Sequence, residues 1–215
     1  MHLTFRLLAG ASCAVALAAA GGCGSSAKTS SSGSSAGTSS VGGSASTPEA
    51  AAGALSAEAR SAATGDIPDN QNFLTFTDTG AAGYSIKYPE GWTQSGSGAD
   101  VTFRSKNNIV HIVLAHGAAA SASSVSAALN ALKAKTPSLA FTPPRAVGLG
   151  SGQAIASVYT TQSPPNPVTN RSVTLIVDRY VLNHGPWNAT VDLGTQRGVD
   201  NVDAYRKMIN SFRWR

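Results

Sequence analysis

A chain of 215 residues, with 16 Lys and Arg against 11 Asp and Glu and only 13% charged residues in all, has room for one domain of ordinary size plus tails. The net charge of +5 is scattered from Lys87 to Arg215 without a block of like charge, which argues against a nucleic-acid partner, because such binding needs a clustered basic face. Both cysteines, Cys13 and Cys23, lie in the opening segment, so disulfides, thiol catalysis and cysteine–zinc sites are excluded from everything after it.

The chain opens with a positive Arg6 and an apolar run from Leu7 to Ala20. A run of about 14 residues is too short to cross a bilayer, which needs roughly 20. Ala20-Gly21-Gly22-Cys23 then places small residues just before a cysteine. The arrangement resembles a bacterial lipobox, although Ala20 stands where that pattern prefers leucine. The resemblance implies that residues 1–22 are a lipoprotein signal peptide and that Cys23 is acylated and becomes the new amino terminus. Two other readings stay open: ordinary secretory cleavage, and an uncleaved anchor. Several acyl chains on one residue anchor stably where a single chain is marginal.

Residues 23–72 read as a tether. GSSAKTSSSGSSAGTSSVGGSAS holds almost no large apolar residue, so nothing offsets the entropy of ordering it. Thr47-Pro48-Glu49 and the alanines after it predict a short helix, marginal by itself. Asp66-Ile67-Pro68-Asp69-Asn70 breaks any helix and leads into the domain. A flexible chain of this length has an r.m.s. span of roughly 40 Å.

All three Trp and all five Tyr lie beyond position 80, so the core belongs to residues 73–215. FLTFTD (73–78) and YSIKYP (84–89) alternate large and polar residues and predict strands, with further strands from Trp92, over 99–105 and over 109–116. Asn107-Asn108 reads as a turn. A helix is expected from Ser123-Ser124-Val125 to Lys135, burying Val125, Ala128, Leu129 and Leu132 and stopped by Pro137. GLGSG (148–152) resembles a phosphate-binding loop only superficially and reads as a flexible connector. Strands near 153–161 and 171–183 follow, then a hairpin turn at Asn183-His184-Gly185-Pro186 into WNATVDLG (187–194). Asp200 is expected to cap a last helix whose Val202, Tyr205, Ile209 and Phe212 face the core. The strand VTLIVDRYVL is apolar on both parities, so both its faces are covered. The class predicted is α+β: one mostly antiparallel sheet with a helix on each face.

YSIKYPEGW (84–92), a charged strand, a helix and a closing VDNVDAYRKMINSFRWR (199–215) resemble the actinobacterial envelope lipoproteins with a Mog1/PsbP-like sandwich, the LpqN/LpqT-like group. The opening motif is specific to a fold and not to a reaction: Tyr84, Ile86 and Tyr88 read as an inward strand face and Trp92 as a core plug. The resemblance implies a non-enzymatic accessory or binding protein.

The search for chemistry gives little. There is no G-x-S-x-G elbow. His111 and His116, five apart on one strand, point to opposite faces and cannot share a metal; neither a metal nor a cofactor is expected. Glu90 sits in a turn, Asp192 on a solvent-facing strand position, and Asp200 and Asp203 in helix capping. Two N-glycosylation sequons, at Asn170 and Asn188, read as chance matches. Asp178 and Arg179 interrupt an apolar strand and, with the turn residue His184, are the weak ligand-binding candidates. The function expected is an extracytoplasmic, membrane-anchored binding or accessory module with an envelope protein or lipid as partner. A carrier of a lipid or other apolar molecule, in a cavity beside the Ala-rich helix, and a cell-wall or lipid hydrolase are the alternatives. No catalytic residue is assigned.

Overall fold

The computed structural model describes residues 65–166 and 168–215. The lipobox with Cys23, the tether up to residue 64 and its short helix lie outside the described residues.

Five strands come first: β1 (Phe73–Asp78), β2 (Tyr84–Pro89), β3 (Thr93–Ser97), β4 (Asp100–Ser105) and β5 (Asn108–His116). Helix α1 (Ala122–Lys135) follows, then β6 (Ala140–Phe141), β7 (Arg145–Leu149), β8 (Gly152–Gln162), β9 (Thr174–His184) and β10 (Trp187–Gln196). Helix α2 (Val202–Ser211) and β11 (Arg213–Trp214) close the chain. Among the described residues every strand pairing is antiparallel, and no helix is long and apolar enough to cross a membrane.

The strands make two sheets where one was expected. An eight-stranded sheet runs β3-β4-β5-β10-β9-β8-β6 with β7 also on β8, and β1-β2-β11 form a separate three-stranded sheet. The break falls at Pro89-Glu90-Gly91, where Gly91 takes φ +85° in the left-handed region and swings the chain from one layer to the other.

The core follows the alternation of the strands. Tyr84 and Ile86 of the small sheet pack with Val101, Phe103, Val110, Ile112, Leu182, Val191 and Leu193 of the large one, together with Tyr205, Met208 and Ile209 of α2. Tyr84 stacks on Phe212 with ring centroids 5.5 Å apart, and Tyr88 on Phe103 at 4.1 Å. Val125 and Leu129 of α1 cluster instead with Tyr159, Leu175, Val177 and Val181. Thus Val181 and Leu182, neighbours on β9, enter different clusters, as the two-residue period of a strand requires.

Both helices depart from expectation at their ends. α1 starts a little earlier, capped by Ser121, whose hydroxyl accepts from the Ser124 amide while Ser124 Oγ accepts from the Ser121 amide. Its apolar stripe is shorter, since Leu132 is 36% exposed. Asn201 holds the N-cap position of α2 without a side-chain capping bond, Asp200 Oδ1 accepts from the Val202 amide at 3.2 Å, and the Val202 side chain is exposed. The connector expected at 148–152 is the tight hairpin between β7 and β8: Gly148 and Leu149 end one strand and Gly152, at φ +115°, begins the next. The turn expected at Asn107-Asn108 is centred one residue earlier, on Lys106 at φ +53°, and Asn108 is buried in β5.

Candidate functional site

β9 distributes the three sequence candidates to three places. Alternation sends Asp178 and Arg179 to opposite faces of the sheet, while His184, six residues beyond Asp178, ends the strand. His184 is exposed and lies against the Trp214 ring, with centroids 5.5 Å apart. The structure therefore brings none of the three together.

Arg179 has a structural partner that the sequence conceals. Asp192, expected to face solvent, is buried and lies directly across from Arg179 in the β9–β10 register. Arg179 Nε donates to Asp192 Oδ1 at 2.8 Å and Nη2 to Oδ2 at 2.6 Å, a bidentate fork, and Tyr159 Oη donates to Oδ2 at 3.1 Å. The guanidinium also sits 5.1 Å from the centre of the Tyr159 ring. Burial alone lowers the Arg179 pKa, but the hydrogen bonds and charge of Asp192 outweigh it and hold the group above its usual value. Both carboxylate oxygens of Asp192 are engaged within this cluster. Beside it, against α1, lies a hollow of about 210 Å³ lined by Ala120, Ser124, Ala128 and Arg179.

Asp178 faces a larger space. A cleft of about 650 Å³ opens on the other face of β9, between the β7–β8 hairpin and α2. That is a size common among small-molecule sites. Ala156, Val158 and Tyr180 form its floor with Asp178, and Val147, Leu149 and Ile209 contribute apolar wall. Asp178 is half-buried, and among the described residues no hydrogen bond or ion pair engages its carboxyl. Burial raises its pKa above the ordinary carboxylate value. Tyr180 is raised as well, first by burial and then by the Asp178 charge, against the opposing pull of Arg206 and Arg145. The larger cavity thus stands beside the closing helix and not beside the Ala-rich one.

A second buried polar cluster escaped sequence reasoning. Asn201 Oδ1 accepts from the Ile67 amide at 2.8 Å, and Asn201 Nδ2 donates to Gly65 O and to Thr195 Oγ1. Thr195 Oγ1 donates to Asn108 Oδ1 at 2.8 Å, and Asn108 Nδ2 donates to Gly65 O. The residues that lead into β1 are thereby stitched to β5, β10 and the start of α2. Both asparagines had ordinary local explanations, as a turn and beside a cap, so the only available signal was that neither is needed there.

The histidines are dispersed. His111 lies within the sheet and meets Asp100 at 2.9 Å, and His116 packs edge-on against Trp187. Among the described residues no group of three or more His, Cys, Asp or Glu is placed to hold a metal ion.

No family model and no curated protein matches the chain. Among solved structures it is similar to a Bacteroides thetaiotaomicron protein at 16% identity and TM-score 0.44, over 66% of this chain and 48% of that one, so the chain spans about half of that protein's length. It is also similar to the cyanobacterial PsbP (CyanoP) of Synechocystis at 15% identity and TM-score 0.47, over 70% of this chain and 98% of that one.

Proposed function

We propose that this chain is an envelope lipoprotein, held to the extracytoplasmic face of the cell membrane by acylated Cys23, whose folded domain is a non-enzymatic binding module with its ligand site in the cleft of β7, β8, β9 and α2. The observation that carries the binding reading is Asp178, a half-buried carboxyl on the floor of an open cleft with no hydrogen bond or ion pair among the described residues. Desolvating a carboxyl without a partner opposes folding, and such groups gather at functional sites. Binding is favoured over turnover by the residues of the cleft, where one carboxylate and no histidine line the wall and the Ser157 and Thr142 hydroxyls donate to backbone carbonyls. On this reading the domain is a Mog1/PsbP-like sandwich with α1 and α2 on opposite faces of the large sheet, which the division of β9 between two core clusters supports. The apolar wall of Val147, Leu149 and Ile209 favours a second reading, a carrier of a lipid or other apolar molecule.

Two experiments test the two halves. Full-length chain produced in an envelope-bearing bacterial host is expected in the membrane fraction and Cys23→Ser in the soluble fraction; equal retention of both refutes the anchor. Native mass spectrometry of the extracted protein is expected to find a bound small molecule that Ala156→Trp excludes. Retention of that molecule by a folded Ala156→Trp chain refutes the cleft as its site.

A further inference from the structure

The cleft has a pattern of charge as well as a shape. Asp178 stands on the floor, Arg145 reaches it from β7 and Arg206 from α2. The phenol of Tyr180 lies within the electrostatic reach of all three. Neither arginine is an ion-pair partner of Asp178 among the described residues. Arg206 Nη1 donates to Asp203 at 2.9 Å, which leaves the rest of its fork, and the Arg145 side chain makes no hydrogen bond or ion pair among the described residues. Negative and positive groups are thus held apart across an apolar floor.

That separation selects a ligand. A simple cation drawn to Asp178 meets two arginines nearby, and a simple anion drawn to the arginines meets Asp178. A molecule carrying both charges satisfies both, with its uncharged part on the apolar wall. Resting on the cleft as the ligand site, we propose that it takes a zwitterionic amphiphile: a primary amine against Asp178, a phosphate-type anion against Arg145 and Arg206, and an apolar tail along Val147, Leu149 and Ile209. This is the chemistry of an aminophospholipid.

The test uses the full chain carrying Cys23→Ser, titrated calorimetrically with monomeric dihexanoyl phosphatidylethanolamine. Dihexanoyl phosphatidylglycerol keeps the phosphate and chains but lacks the amine, and phosphoethanolamine keeps the headgroup but lacks the chains. The ethanolamine lipid is expected to bind about tenfold or more tighter than either, in line with coupling energies of close charge pairs. Asp178→Asn is expected to erase the preference over the glycerol lipid, Asp178→Glu to keep it, and Arg145→Gln with Arg206→Gln to weaken both lipids. Equal affinity for the two lipids overturns the amine assignment but leaves the cleft a ligand site. Equal affinity for phosphoethanolamine overturns the apolar part and points to a soluble ligand. If no probe binds, the zwitterion is overturned. The cleft itself falls only if Ala156→Trp also retains the co-purifying molecule.

Discussion

Asp192→Ala puts the Arg179 cluster under direct test. The Arg179 and Asp192 side chains are only 12% and 9% exposed, and two short bonds plus the Tyr159 hydroxyl converge on one carboxylate. Removing that carboxylate strands a guanidinium under α1, with the face of Tyr159 as its remaining company. Breaking a buried pair from one side costs about 3–5 kcal/mol, because the other charge stays desolvated. Against the roughly 5–15 kcal/mol of a whole domain, this is a large share. At about 2–4 °C per kcal/mol for a domain near this size, the melting temperature falls by roughly 6–20 °C. Urea unfolding followed by tryptophan fluorescence measures the loss. Replacing both partners with apolar residues of similar bulk, Arg179→Met with Asp192→Leu, removes the stranded charge and recovers most of the stability. A loss below about 1 kcal/mol for Asp192→Ala, or a double variant as unstable as the two single losses added together, refutes the reasoning.

Three further outcomes follow from the same structure. Burial raises the pKa of Asp178 above its unfolded value of 3.8, so the folded state binds the proton more readily and the wild type loses stability as pH rises from there through the raised value. Asp178→Asn is therefore more stable than wild type at pH 7, with the gap closing toward pH 3; urea midpoints at the two pH values decide, and a less stable variant at pH 7 sinks the claim. Asn201→Ala leaves the Ile67 amide without its buried acceptor and takes one of two hydrogen bonds from the Thr195 hydroxyl, which keeps Asn108; the cost is about 1–3 kcal/mol with faster hydrogen exchange at Ile67, and unchanged exchange there means the contact holds nothing. A Cβ on Gly194 would sit 2.7 Å from Ile109 Cγ2 and 3.2 Å from Val177 Cγ2, so Gly194→Ala is expected to destabilise thermal unfolding by about 1–3 kcal/mol, and a neutral result contradicts the packing described.

Much of the strand order was legible because alternation is a local property. β1, β2, β5, β8 and β10 each show large residues at every second position or a run bounded by turn residues, and the expected bounds lie within a few residues of those observed. β7 and β11 were not legible. Arg145–Leu149 carries only two large apolar residues on one parity, and Arg213–Trp214 is too short to have a period. Both become strands only because β8 and β2 offer free edges. Asp178 stood out as a charge in an apolar strand, and it does line the large cleft. The cleft itself was invisible, since its walls come from residues 142–149, 156–158, 178–180 and 206–210, far apart in sequence. Asp192 was misread for the same reason: its burial depends on its register with Arg179, and register across two strands is not written in either one.

The pairing of Trp214 with Tyr84 and of the Arg215 amide with Gly83 O has a consequence for biosynthesis. A polypeptide synthesised from its amino terminus exposes the β1–β2 hairpin long before residues 213–215 emerge to complete its sheet. During that interval Tyr84 and Ile86 lack the Phe212 ring that later covers them. Maturation must wait for the rear of the molecule to arrive, and a chain stalled during synthesis would present these side chains to chaperones and proteases.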